Sequence, residues 1–461
     1  MIFSVSPGER GFHLEIKGGT WKADSCALRF PEEVWKPFPL KETLIRELAY
    51  AATFSIPVIL NHLRVRYTTP LPSHLDDYHS LFESAIPNMV EPIPRESSEE
   101  VLRIFRSVER GFSIPSDARE SIPRKKWNPR RAVLPFTFGK DSLLSLATLK
   151  SLGYEVFPVY VDERIHPRGR EIRKKLEEKF SRETGVSVHV VENEIQLLSD
   201  YQVLGTPETR LYQVPAQIVH VLAMIPFCFA FDAPFIVQSH EYNESLPTIH
   251  REGYLCERRV MSGKRAGRTL KRIVGSLTGG AITTVNPIGP LGNFSIYSIL
   301  SGSFPHLHSF QFSCHMEMST SERWCHDCER CAHGYLYHRA LGNDPAAWGF
   351  EKSMLSEEKG RFFSTFREIH PLDMYHRFQS KEEALAFLLS RERGETGDLV
   401  KTFERGGARE AMKKKRKLAK SVFRLQDEPG PEPVERESAS FFLARLEDTE
   451  HIVVPGGSGT T

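Results

Sequence analysis

The chain predicts an α/β fold: a doubly wound parallel sheet, with an N-terminal α+β region before it and a helical C-terminal region after it. Three observations carry this. From Arg131 to Val237, short apolar runs alternate with stretches of helical apolar spacing. The first run ends in a polar turn that opens a helix, Thr137-Phe138-Gly139-Lys140-Asp141-Ser142. Beyond the last run four cysteines crowd together: Cys314, Cys325, Cys328 and Cys331. Strands alternating with helices imply parallel pairing through crossover helices, and right-handed crossovers wind those helices onto both faces.

Composition narrows the class. A length of 461 residues suits two or three domains. With 40% hydrophobic and 26% charged residues, the chain can bury a full core and is not mainly disordered. Lys+Arg numbers 61 against 59 Asp+Glu, so the net charge of +2 does not announce nucleic acid or an acidic membrane. No apolar run follows a basic start, so no secretory signal is expected and a cytoplasmic location is. The most apolar stretch, Ile218 to Val237, is broken by Pro226, Asp232 and Pro234, and reads as a buried helix running into a strand rather than a membrane span. Seven cysteines, four of them clustered, fit a reducing compartment with one metal site better than a disulfide framework.

Taken in order, residues 1–112 form the α+β region. Phe12 to Ile16 alternates like a strand, Lys41 to Phe54 has helical spacing, and Ile56 to Tyr67 reads as a strand. Ser97 with Glu100 makes a capping box. Residues 113–130, with Pro115, Pro123 and Pro129, read as a linker. The central domain spans 131–345. Its strands are expected at Ala132–Phe136, Tyr154–Val161, Val186–Val191 and Pro234–Val237, and its helices at Leu143–Leu152, Gly169–Thr184 and about Val214–Phe231. Residues 346–425 read as mostly helical. From residue 426 the chain is rich in Pro, Glu, Gly and Ser, and the 426–461 tail is expected to be disordered.

The turn is the first candidate site. Ligands of open α/β sheets sit at the carboxyl ends of the strands, and the free N–H groups of a helix start favour phosphate. Gly139 permits close backbone approach, Lys140 supplies charge, Ser142 a hydroxyl, and Asp141 a helix cap or a magnesium ligand. The Walker A spacing is absent, so this is not an ordinary P-loop. The cysteines are the second candidate. Four thiolates suit a closed tetrahedral Zn²⁺ site, and an iron–sulfur cluster is open on ligand type.

Together these segments resemble a family. The turn is similar to the S-G-G-x-D-S loop of the PP-loop ATP pyrophosphatases, whose sheet is of the adenine nucleotide α-hydrolase-like kind. Thr137 stands for the Ser and Phe138 for the first Gly. The distal cysteine spacing resembles that of the 7-cyano-7-deazaguanine synthases of queuosine biosynthesis. So do Val214-Pro215-Ala216, Asn286-Pro287-Ile288-Gly289, and the strand Ile236-Val237 running into Gln238-Ser239-His240-Glu241-Tyr242-Asn243. The likeness covers about Arg131 to Gly342. Gln217 and Ile218 stand where that family shows Arg and Asn.

The resemblance implies an ATP-dependent, AMP-forming ligase. A small-molecule carboxylate would be adenylated, ammonia would displace AMP, and a second ATP-driven step would give the nitrile. It further implies that Lys140, Asp141 and Ser142 are catalytic. Phe136, Thr137, Phe138 and Gly139 would join them around ATP and Mg²⁺, with Tyr160 and Val161 beside adenine. Ser239, Glu241 and Asn243 would face substrate, and the four cysteines would hold one structural zinc. A tRNA-modifying, thiolating relative is the alternative, supported by local basicity at Arg124-Lys125-Lys126 and from Arg258 to Arg272. A protein-modifying or non-catalytic relative is a third reading, consistent with Phe138, the missing Arg-Asn pair and the extra terminal regions.

Overall fold

The computed structural model describes residues 1–18, 25–113, 120–163, 167–314, 323–406 and 408–453. Twelve strands are described: β1 (Ile2–Gly8), β2 (Gly11–Lys17), β3 (Ser25–Arg29), β4 (Arg64–Tyr67), β5 (Glu109–Gly111), β6 (Arg131–Pro135), β7 (Glu155–Glu163), β8 (His189–Asn193), β9 (Phe235–Val237), β10 (Pro247–Ile249), β11 (Leu255–Glu257) and β12 (Thr283–Val285). Ten of them form one sheet in the order β12-β9-β6-β7-β8-β3-β2-β1-β4-β5; β10 and β11 make a separate hairpin. From β12 to β8 all pairings are parallel, as they are from β1 to β4 and β5.

The parallel half is buried on both faces, and the strand period of two divides its residues between two cores. Val133, Val159, Val161 and Ile236 pack into one core with Ile218 and Leu222 of the Gln213–Leu222 helix and Leu270 and Ile273 of the Lys264–Leu277 helix. Ala132, Leu134, Tyr160, Phe235 and Val237 pack into the other, with Leu143 and Leu146 of the Lys140–Ser151 helix and Phe294 and Ile299 of the Asn293–Ser303 helix. A doubly wound α/β arrangement is therefore present.

Several expectations need correction. The N-terminal α+β region is joined to the central sheet, a link the sequence does not show: β3 pairs antiparallel with β8, Leu28 opposite Asn193. Ile56–Ile59 is a helical turn and only Arg64–Tyr67 is a strand, because a short apolar run alone does not distinguish the two. The expected helix from Val214 to Phe231 is two, Gln213–Leu222 and Ile225–Ala230. Pro226, which lacks an N–H, fits the first turn of the second. That apolar stretch, Gln213–Ala230, is 78% buried, as a core segment should be. Part of the tail expected to be disordered is ordered: Pro433–Val453 is a helix with Val434, Phe442 and Leu446 buried against the central domain. Part of the 113–130 linker (114–119) lies outside the described residues. Where described it is tied down: the Glu120 carboxylate accepts from the N–H groups of Glu42 and Thr43, and Trp127 packs edge-on to Phe229.

Candidate functional site

The connection after β7 continues outward to β8, whereas β9 returns to the opposite side of β6 and β12 lies beyond it. Strand order reverses between β6 and β9. A crevice opens at such a reversal, outside the carboxyl ends of the two strands. Here it holds a cavity of about 380 Å³ lined by the segments that leave β6 and β9.

The loop after β6 is shaped by Phe138. Its φ is 61°, a left-handed conformation that costs a side-chain-bearing residue roughly 1–2 kcal/mol. The ring does not cover the cavity. It is fully buried in the opposite direction, edge-on to Phe136 at 4.7 Å and to Phe180 at 5.7 Å. The Phe138 carbonyl accepts from Phe312 N–H at 2.7 Å. Gly139 is the N-cap of the Lys140–Ser151 helix and has no side-chain cap; Ser313 Oγ accepts from Lys140 N–H at 3.2 Å. Ser142 Oγ donates to the Gly139 carbonyl at 3.1 Å. The loop thus adopts a left-handed turn into a helix start braced by Ser313, while its bulky residue anchors the core.

Lys140 Nζ sits 2.6 Å from Asp141 Oδ1 and 2.7 Å from Glu241 Oε2. Burial alone would lower the ammonium; the two carboxylates overcome that and hold it above its ordinary value, hence charged. Burial pushes the Glu241 carboxyl up, against the pull of Lys140. Glu241 is presented by the loop after β9, which is fixed by a reciprocal pair: His240 N–H donates to Asn286 Oδ1 at 3.2 Å, and Asn286 Nδ2 donates to the His240 carbonyl at 3.0 Å. Further in, Arg259 Nε lies 3.3 Å from Glu244. Burial would raise the Glu244 carboxyl, but Arg259 and Arg330 hold it well below the usual range. Among the described residues the cavity carries five basic groups (Lys140, Arg173, Arg258, Arg259, Arg330) against four carboxyls (Asp141, Glu241, Glu244, Glu329). The one-charge excess of basic groups favours an anion.

Of the residues expected at the site, Thr137, Gly139, Lys140, Asp141, Ser142, Ser239 and Glu241 line this cavity. Ser239 Oγ donates to Ser145 Oγ at 2.9 Å. The others do not line it. Phe136 and Phe138 are core residues. Tyr160 carries the Arg173 guanidinium over its ring at 5.7 Å, and Val161 is in the opposite core; neither borders the cavity. Asn243 is 2% exposed and ties helices together: its Nδ2 donates to Glu382 at 2.7 Å and its Oδ1 accepts from Asn293 N–H. Side chains not assigned to this site from the sequence line it as well: Arg173, His220, Glu244, Arg330 and Tyr375, with Arg259 from the basic segment read as an RNA patch. One signal was available, since Arg258-Arg259 directly precedes the apolar Val260-Met261 and is thereby drawn inward. In the basic stretch after it, Lys264 pairs with Asp427, Arg265 donates to Ser80 Oγ, Lys271 pairs with Glu432 and Arg272 with Asp77. Lys125 likewise pairs with Asp232 at 2.6 Å.

The four cysteines do converge. Their sulfurs all lie within 4.8 Å of one another, with Cys328 to Cys331 at 3.5 Å and Cys325 to Cys331 at 3.8 Å. Bonds of ~2.3 Å to a tetrahedral ion would set sulfurs about 3.8 Å apart, so the set suits a single ion such as zinc. His326, at φ 55°, turns the chain between Cys325 and Cys328, and Asp327 N–H points at Cys325 Sγ from 3.3 Å. His333 is held by Glu383 at 2.9 Å, away from the sulfurs' ligand set. Cys314 also borders the cavity and directly follows Ser313, the partner of Lys140 N–H. The cysteine cluster is therefore continuous with the segment that braces the loop. The sequence matches no protein-family model and no curated protein.

Proposed function

We propose that this chain is an ATP-dependent, AMP- and pyrophosphate-forming enzyme of the PP-loop type. It would activate a small-molecule carboxylate by adenylation for amide or nitrile formation, as 7-cyano-7-deazaguanine synthases do. The observation that carries this reading is the backbone at Phe138. The residue replacing the glycine of the family loop keeps a left-handed turn and sends its ring into the core, while Thr137, Gly139, Lys140, Asp141 and Ser142 line the cavity.

In this reading the loop amides, the Thr137 hydroxyl and Lys140 grip the phosphates of ATP. Asp141 and Glu241 already converge on one cation, Lys140 Nζ, and the same pair of hard oxygens suits Mg²⁺. That ion would supply positive charge between the phosphates. A carboxylate oxygen of the substrate attacks the α-phosphorus; the bond to the bridging oxygen breaks and pyrophosphate leaves with the electron pair. The cavity's arginines hold the acid's charge and align it. The cysteine set, with four sulfurs and no open position, would hold zinc in a structural role.

The test is pyrophosphate release from ATP with 7-carboxy-7-deazaguanine and other acids, in the wild type and in Asp141→Ala. The reading expects acid-dependent release that falls by more than tenfold in the variant. Equal rates reject it.

A further inference from the structure

A second cavity, of about 290 Å³, lies on the same carboxyl edge of the sheet, between the ends of β9 and β12. It shares Gln238, His240, Glu241 and Ser262 with the first cavity, so the two are separated by the thickness of one layer of side chains. Gln238 is 6% exposed and its Nε2 has no hydrogen-bond partner. Its amide oxygen points to the other side: a Cβ built on Gly267, in the wall of the second cavity, would stand 3.6 Å from Gln238 Oε1 and meet nothing else within 4 Å. The outer mouth is crossed by the segment around Asp427 to Glu435. It is fastened by the Lys264–Asp427 and Lys271–Glu432 ion pairs and by Glu435, which accepts from Asn286 N–H at 2.9 Å.

We infer that this second cavity is the inlet and holding site for the nucleophile that consumes the activated acyl group, ammonia or a small primary amine. The inference rests on the adenylation reading above. A triphosphate and an acid together occupy the first cavity, and the nucleophile reaches the acyl carbon through the shared wall. The nucleophile's N–H groups meet acceptors at Gln238 Oε1 and at the Glu241 and Glu435 carboxylates, in a lining that also carries Lys264, Arg268 and Lys271. The nucleophile reacts as the free amine, an ammonium proton being lost to water on entry. The nitrogen lone pair then forms the bond to the acyl carbon, the bond from that carbon to the AMP oxygen breaks, AMP departs with the electron pair, and the nitrogen gives up its surplus proton to water to leave the neutral amide.

Gly267 provides the test because it lies inside the Lys264–Leu277 helix, a Cβ there would meet only Gln238 Oε1, at an ordinary contact distance of 3.6 Å, and it does not border the first cavity. Gly267→Leu fills the second cavity, with Gly267→Met as the flexible equivalent should the first variant not fold and Gly267→Ala as the size control. Two rates are read with 7-carboxy-7-deazaguanine as acid: ATP–pyrophosphate exchange, which needs no nucleophile, and AMP release as a function of ammonium concentration. The expected result is exchange within twofold of wild type in every variant, with the KM for ammonium raised at least tenfold in the Leu or Met variant and unchanged in the Ala variant. Normal exchange with an unchanged ammonium KM in the filled variant overturns this inference alone. Absence of exchange in the wild type overturns the adenylation reading and this inference with it.

Discussion

Replacing Phe138 separates the two roles given to it, core anchor and left-handed turn. Removing the ring leaves a void beside Phe136 and Phe180, where both ring contacts are edge-on. For a fully buried phenylalanine this costs about 3–5 kcal/mol on truncation to alanine. Phe138→Ala keeps a side chain at φ 61° and so retains the backbone strain. Phe138→Gly makes the same void but removes the strain, which returns roughly 1 kcal/mol. Both variants should therefore be destabilised by several kcal/mol, with the glycine variant the more stable of the two by about 1 kcal/mol, although glycine ordinarily costs more than alanine. Urea unfolding at neutral pH reads both values. An alanine variant as stable as the glycine variant would show that the turn is not left-handed. A glycine variant as stable as wild type would show that the ring is not packed inward, and the open loop would lose its basis.

Two further predictions concern charge and metal. The Glu244 carboxyl is held at about 2 against an ordinary 4.5. A depressed acid contributes stability that is present above pH 4.5 and is lost as pH falls toward 2, so Glu244→Gln should reduce stability at pH 7 by on the order of 2–3 kcal/mol and by much less near pH 2. Urea midpoints across that range check it, and a constant difference between the proteins contradicts it. The purified chain should carry one equivalent of zinc by elemental analysis, lost in Cys331→Ser. Because Ser313 and Cys314 are adjacent, chelation should also raise hydrogen exchange at the Lys140 amide. Exchange there that ignores the metal would uncouple the two sites.

The parts of the fold readable in the sequence are those written in local order. β6, its loop and the Lys140–Ser151 helix follow from one apolar run, one glycine and one helical period, and the four cysteines needed only their spacing. What escaped depends on distant partners. The three-residue β12 is too short to carry a period. The join of β3 to β8 brings together residues more than 160 positions apart. The ordered end of the chain was hidden by a polar composition, while Val434, Phe442 and Leu446 bury against elements the tail cannot specify. At the site, Tyr160 and Asn243 were placed by sequence position, yet Arg173 occupies the one and Glu382 the other. Arg259 and Arg330 lie 71 positions apart, yet both stabilise the Glu244 charge only because the fold brings them to one cavity.

Binding of MgATP to the purified chain, followed by isothermal titration without any acid present, tests the loop most directly. One nucleotide per chain is expected, with affinity at least tenfold weaker in Lys140→Met. Absence of saturable binding at millimolar MgATP, or equal affinity in both proteins, would contradict a phosphate grip at the end of β6.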